Sequence, residues 1–519
     1  MTPPGVLRDR PHLWAFVAGC IAVTIGVAMH LPMFWMGRFN HFRLADMPMD
    51  DGMTWGMALI VGGIAVAAYG LLPRRATHHA GDDALLRVTA PEDTPLVAAH
   101  WRLMVVLTVA LVIDVMKPAS LGFVLPGMRS EYVVSKATVA WLPFAALAGT
   151  VVGSVVWGWL ADVYGRRASI LLSAVMFVGT AICGAMPDFW WNVGMCFLMG
   201  AAAGGMLPVT YALLAETMPS KERGWVLVLV GGLGAVGGYL AASGCAAWLE
   251  PIYSWRILWF LNLPTGLLLI FLNAFIPESP KYLAARGRIA EAVRTLRGFG
   301  CEVHAEDRAP VAPAPARDAH VTHELAARTW ALGIAAVAWG LINFGLLLWM
   351  PVHLVERGYG MAVSSRLLSA SALIAIPTVF VAAFLYSRWS SKGALLGSIV
   401  VTALGLVGVM ALELAPVGSM SPVWPIALLI VGINAIIAML LPYATESYPL
   451  AVRGRATGLV AACTKGGGLV AQLLSLLALV PGLFMAALAI LVPVGLSLAL
   501  VWRFGVETRG RDLRDFERR

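Results

Sequence analysis

Fourteen apolar runs of roughly 20 residues, parted by short polar segments, leave this chain few ways to fold. A run of that length crosses the hydrocarbon core of a bilayer as one α-helix, because in lipid every backbone N–H and C=O must find its partner within the segment. The runs fall at residues 13–35, 53–72, 103–125, 138–160, 168–186, 191–213, 224–247, 256–276, 329–350, 366–386, 394–413, 423–443, 456–478 and 482–503. Charged residues are 13% of the chain and hydrophobic ones 59%, where a soluble chain carries about a quarter charged residues. The expected fold class is therefore an all-α membrane protein with 14 transmembrane helices. The net charge of +8 lies in the loops and forms no basic face on a soluble module, so no nucleic-acid partner is expected. The first run exceeds a signal-peptide core of roughly 7–15 residues and ends in Met33-Phe-Trp-Met36, which reads as a retained helix.

The runs divide the chain into five parts. Residues 1–102 hold two extra helices and a cytoplasmic linker, and 103–276 hold six helices. Residues 277–328 form a polar linker with a short amphipathic helix at 280–299 and an Ala/Pro-rich stretch at 309–316. Residues 329–503 hold six more helices, and 504–519 form a basic tail. With the loop at 158–167 placed in the cytoplasm, 28 of the 37 Lys and Arg lie on that side and 7 outside. Both termini are then cytoplasmic and the chain sits in the inner cell membrane.

That loop reads Gly158-Trp-Leu-Ala-Asp162-Val-Tyr-Gly165-Arg166-Arg167. A second signature occurs twice, as Glu216-Thr-Met-Pro219-Ser-Lys-Glu-Arg223-Gly224 and as Glu446-Ser-Tyr-Pro449-Leu-Ala-Val-Arg453-Gly454. Repeated halves are how many transporters are built. The first loop repeats poorly, with Ser387 where an acid corresponding to Asp162 would stand. These motifs resemble those of the major facilitator superfamily, as do Pro277-Glu278-Ser279-Pro280, Val506-Glu507-Thr508-Arg509-Gly510 and Trp349-Met-Pro351. The last three are similar to segments of its sugar-porter-like and metabolite:proton symporter branches. The resemblance covers about residues 103–511 and implies that 12 of the helices form two six-helix halves, with the first two helices outside it. It also implies secondary active transport.

Drug:proton antiporters of that superfamily carry an arginine in helix four where this chain has Gly200, four residues before Gly204. They carry a Gly-Pro pair in helix five where this chain reads Gly231-Gly-Leu-Gly-Ala-Val-Gly237-Gly238. Sugar porters use glutamine in helix seven, which here offers Trp339 and Asn343. Neither reading is therefore favoured.

Ionisable groups in the middle of a run are functional candidates by default. Asp114 and Lys117 share one face of the first core helix, and Lys465 lies in the eleventh, within Thr464-Lys-Gly-Gly-Gly468. The pair is either a neutralised structural ion pair or a proton-titrating carboxylate beside a substrate-binding lysine. In the second reading, desolvation favours the protonated acid and Lys117 the ionised one, which leaves Asp114 poised to exchange. Helices one and eleven of the superfamily fold approach its central cavity from opposite halves. Lys117 and Lys465 would there attract an anionic group on the substrate. Trp141, Trp339, Asn343, Asn434 and Gln472 are, as a set, the remaining candidate lining residues, although each alone suits packing or a helix interface better than a ligand contact. Asp162, Arg166, Arg167, Glu216, Arg223, Glu446 and Arg453 are expected to gate the cytoplasmic side.

Met29, His30, Met33, Met36, His41, Met47, Met49 and Met53 crowd the first hairpin, as adaptable packing or as soft metal ligands. Packing is the expected role, and no metal or cofactor is expected. No Gly-x-x-x-x-Gly-Lys-Ser/Thr loop is present, which argues against ATP-driven transport. The expected function is proton symport of a small organic anion, such as a carboxylate, by alternating access. The alternatives are a proton-antiport exporter of drugs or metabolites and a non-transporting sensor or binding protein. The expected partners are a small-molecule substrate, protons and the bilayer, with the chain a monomer or weak dimer.

Overall fold

The structure is a computed structural model that describes residues 10–72, 95–204, 210–211, 213–214, 217–285, 288–301, 319–416, 419–448, 450–479 and 482–509. Among these residues there is no strand, and thirteen helices are long and apolar enough to cross a membrane. The remaining expected span, 191–213, begins as the apolar helix Phe189–Ala203 and then runs partly outside the described residues.

The main helices are α1 (Arg10–Ala28), α2 (Asp51–Leu71), α3 (Ala98–Glu131), α4 (Trp141–Tyr164), α5 (Arg166–Gly179), α6 (Phe189–Ala203), α7 (Ser220–Tyr253) and α8 (Asn262–Leu272). Two short helices follow, α9 (Pro280–Ala285) and α10 (Ile289–Gly298), where the sequence suggested one. Then come α11 (Ala319–Gly340), α12 (Leu348–Glu356), α13 (Met361–Phe384), α14 (Ser391–Leu414), α15 (Val423–Ser447), α16 (Leu450–Leu476) and α17 (Leu483–Phe504). Several starts are set by side-chain caps, which supply an acceptor to N–H groups that have no helical partner. The Asp50 carboxylate accepts from the Met53 N–H at 2.7 Å, and Asp188 accepts from the Trp190 and Trp191 N–H groups at 2.9 and 3.2 Å.

The helices cluster into two compact units. One comprises 1–221 and 244–305, the other 222–243 and 306–519, so the middle of α7 groups with the C-terminal helices. In the first unit, the exposed Trp14, Trp101 and Trp159 lie toward one end of the bundle. Trp35, Trp55, Trp190, Trp191 and Trp248 lie toward the other. Two such belts mark the two membrane interfaces.

The extra hairpin belongs to the first unit. Its two helices meet along glycines, where a Cβ on Gly63 would fall 2.9 Å from the Gly19 carbonyl oxygen and one on Gly26 only 2.6 Å from that of Gly56. Such small-residue seams are how membrane helices gain van der Waals contact without a hydrophobic drive. Gly63→Leu is expected to cost about 1–3 kcal/mol of overpacking, read as a lower unfolding temperature of the purified chain. An unchanged temperature would rule out the seam as a packing device. The hairpin then lays Val23, Val27 and Ile60 against Leu171, Val175 and Val178 of α5 in one buried cluster. Met33 and Met53 are buried in that cluster as well and pack there, while Met36 and Met49 are exposed.

The connection after α1 docks on a buried ion pair. The Arg256 guanidinium lies 2.7 Å from the Glu131 carboxylate, with both side chains almost wholly buried. Arg256 also donates to the carbonyls of Gly184 and Met186 and to the Tyr132 hydroxyl, and the Trp255 indole donates to Glu131. The hairpin completes the set, because the Leu44 and Ala45 N–H groups donate to Glu131 at 2.7 and 3.1 Å. Neither Glu131 nor Arg256 stood out in the sequence, because one lies just past a run and the other at the start of one, where charges are ordinary.

Candidate functional site

Each unit carries a lysine set against an aromatic ring inside the membrane-spanning region. In the first unit, Asp114 and Lys117 project from the same face of α3, one turn apart. Their side chains are 3.7 Å apart and nearly inaccessible. The Lys117 ammonium also lies 3.3 Å from the centroid of the Phe177 ring, which α5 presents. A desolvated cation over a ring is worth about 2 kcal/mol, so the ammonium is divided between a carboxylate and a π-face. Pro118 follows within the helix and brings no N–H to the carbonyl four residues back, which makes this level of α3 more polar than the pair alone. The arrangement can lose the charge on Asp114 to a proton while the ring still holds Lys117.

In the second unit the helix that holds Trp339 and Asn343 is interrupted. Between α11 and α12, residues Leu341–Leu347 take a π-helical turn. Such turns are rare and occur often at functional sites. The turn carries Phe344, whose ring centroid is 5.0 Å from the Lys465 ammonium of α16. Trp339 packs edge-on against Phe344 at 5.6 Å and donates its indole N–H to the Ile433 carbonyl at 2.9 Å. Close approach of α16 depends on glycine, since a Cβ on Gly467 would lie 2.2 Å from the Val337 carbonyl oxygen. Gln472 is fully buried; it accepts from the Trp349 indole at 3.2 Å and donates to the Phe344 carbonyl. Its amide thus holds the widened turn in place. Asn343 sits half-buried in the turn, and Asn434 is buried on α15 beside Ile433. Trp141 is elsewhere, exposed at the start of α4 and packed with Phe144 and Trp190 in an interfacial aromatic cluster.

The charged loop motifs have partners within their own units. Gly165 turns the chain from α4 to α5 with φ of +103°, and a Cβ there would meet the Glu278 carboxylate at 2.6 Å. Glu278 accepts from the Arg166 N–H at 2.9 Å and so caps α5, while the Asn273 amide donates to the Arg167 carbonyl. Burial pushes the Glu278 carboxyl upward, against the pull of the N–H groups of Ser279, Arg166 and Arg167. The second unit repeats the device. Glu507 accepts from the Ser391 N–H at 2.9 Å at the start of α14, and from the Ser390 and Ser391 hydroxyls. Partial burial alone would raise Glu507, but these hydrogen bonds outweigh it and hold the carboxyl below its usual range. Glu446 accepts from the Tyr386 and Thr508 hydroxyls at 2.7 and 2.8 Å and feels the charge of Arg223. Glu216 and the side chains of Asp162 and Arg453 lie outside the described residues.

Glu278 and Glu507 were legible only as parts of two unrelated-looking motifs. Their common Glu-Ser/Thr core is the signal that they do the same work. Phe177 and Phe344 had no signal beyond being aromatic within a run.

Residues 105–472 match the family model described as Major Facilitator Superfamily. The chain is 25% identical over 446 residues to the niacin transporter NiaP of Acinetobacter baylyi, covering 82% of this chain and 98% of that one. It is also 25% identical to the benzoate transport protein of the same organism, over 79% of this chain and 91% of the relative. Among solved structures, the partially occluded inward-open xylose transporter XylE from E. coli superimposes with a TM-score of 0.63 at 15% identity, covering 80% of this chain and all of that one.

Proposed function

The chain belongs to the Major Facilitator Superfamily, a transporter and not an enzyme, and we propose that it moves a small organic anion, an aromatic carboxylate, by proton symport through alternating access. The observation that carries this reading is the pairing of a lysine with an aromatic ring in each unit, the buried Lys117 with Phe177 and the half-buried Lys465 with Phe344. A carboxylate takes the ammonium, and its own ring takes the aromatic faces of Phe344 and Trp339 by edge-to-face contact. The names of the relatives support the class, since niacin and benzoate are both aromatic carboxylic acids. Asn343, Asn434 and Lys117 are the further proposed substrate contacts. Gln472 serves by keeping the π-turn open. Asp114 is the proposed proton carrier. Protonation removes its claim on the Lys117 ammonium, which then turns to the substrate carboxylate, so proton and anion load together. Asp162, Arg166, Arg167, Glu216, Arg223, Glu446 and Arg453 are proposed to govern the cytoplasmic gate.

Purified chain in liposomes should accumulate labelled benzoate or nicotinate when the interior is made alkaline, and a protonophore should abolish this. Lys465→Met is expected to raise KM about tenfold, the loss of one charge-assisted contact. No flux of either carboxylate, or accumulation that is indifferent to the gradient, would sink the proposal.

A further inference from the structure

At one end of the first unit, the start of α3, the start of α5 and the segment carrying α9 and α10 enclose a cavity of about 280 Å³. Four arginines line it: Arg102, Arg167, Arg288 and Arg294. Two acids share the lining, Glu278 and Glu291, which leaves an excess of two positive charges. Both acids are engaged already. Glu291 forms a two-pronged pair with Arg288 at 3.0 and 2.7 Å, and Glu278 caps α5. Among the described residues neither Arg102 nor Arg294 has an ion-pair partner, and the Arg167 Nε is buried without a hydrogen bond. Three guanidinium groups therefore converge on an opening with donors to spare. A planar guanidinium matches a phosphate oxygen pair better than any other common group.

The remaining walls are apolar, including Leu103, Phe275 and Phe299. A free anion has no use for such walls, but the glycerol and acyl root of a lipid does. The height fits as well. Trp101, half-exposed beside Arg102, marks the interface at which headgroups lie, and α10 buries Ala292 and Leu296 while leaving Arg294 and Arg297 exposed. Basic pockets between transmembrane helices at this level suit anionic headgroups. We propose that this cavity binds the phosphate of an anionic phospholipid and that Arg102, Arg167 and Arg294 hold it.

The test uses full-length protein in detergent, stripped of lipid, with thermal unfolding followed as lipid is titrated back. Dioleoylphosphatidylglycerol should raise the unfolding temperature, and dioleoylphosphatidylcholine should not. In Arg102→Gln/Arg294→Gln the phosphatidylglycerol concentration for half the effect should rise about a hundredfold, roughly tenfold for each charge-assisted contact removed. Arg297→Gln, which does not line the cavity, should leave the titration unchanged. If the double variant does not fold, Arg102→Gln and Arg294→Gln made singly should each show the tenfold loss. An unchanged titration in these variants, an equal response to phosphatidylcholine, or the same stabilisation by millimolar inorganic phosphate would each overturn the proposal. The last result would assign the cavity to a soluble anion.

Discussion

Asp114→Asn is expected to reduce gradient-driven uptake to the background of empty liposomes and to destabilise the folded chain by about 3 kcal/mol. The second effect follows from the pair itself. Asp114 and Lys117 are 8% and 5% exposed, and removing the acid leaves a buried ammonium against the Phe177 ring without its counter-charge. The comparison that decides between a structural and a functional pair is Asp114→Asn/Lys117→Met. Replacing both members of a buried pair by neutral groups is often harmless to stability. The double variant should recover most of the lost stability yet remain unable to couple uptake to the gradient. Recovery of uptake along with stability would make the pair structural, and full flux in Asp114→Asn alone would remove Asp114 from the mechanism. Unfolding temperature and initial uptake rate, measured on the same preparations, separate these outcomes.

Glu131→Ala should be the most damaging single change outside the proposed transport residues, at about 3–5 kcal/mol. Its carboxylate pairs with Arg256 and accepts from the Trp255 indole and from the Leu44 and Ala45 N–H groups. Loss of the acid strands a guanidinium whose side chain is fully buried. It also cuts the polar attachment between the extra hairpin and α3. Amide hydrogen exchange at Leu44 and Ala45 should therefore accelerate more than exchange in α2, whose apolar contact with α5 is untouched. Unchanged protection at those two amides would show that the hairpin is held by packing alone.

The spans were legible because lipid imposes one rule on every segment, so run length alone located them. The orientation of Asp114 toward Lys117 was legible too, since helical periodicity puts residues three apart on one face. What periodicity could not reveal was the second partner of each lysine. Phe177 lies on a helix whose residues are buried all round, and nothing distinguishes it from its apolar neighbours before the helices pack. The π-turn at Leu341–Leu347 was hidden for a similar reason. It rests on the bond from Gln472, far along the chain, to the Phe344 carbonyl, and not on any local signal. Gly200 illustrates the reverse case. Its lack of an arginine was plain in the sequence, and the structure supplies the reason: a Cβ there would fall 1.8 Å from the Ala146 carbonyl oxygen, which leaves no room for a longer side chain.

The twin caps at Glu278 and Glu507 also bear on biogenesis. In each unit the first turn of one helix, α5 or α14, is satisfied by an acid translated only after the last membrane helix of that unit. A nascent unit inserted up to its fifth helix has an unfinished middle, with the N–H groups at Arg166 or Ser391 lacking their acceptor. The ribosome therefore closes each bundle as a loop, and it is the late acid that latches the early helix. A chain stopped short of Glu507 has the first of these caps and lacks the second.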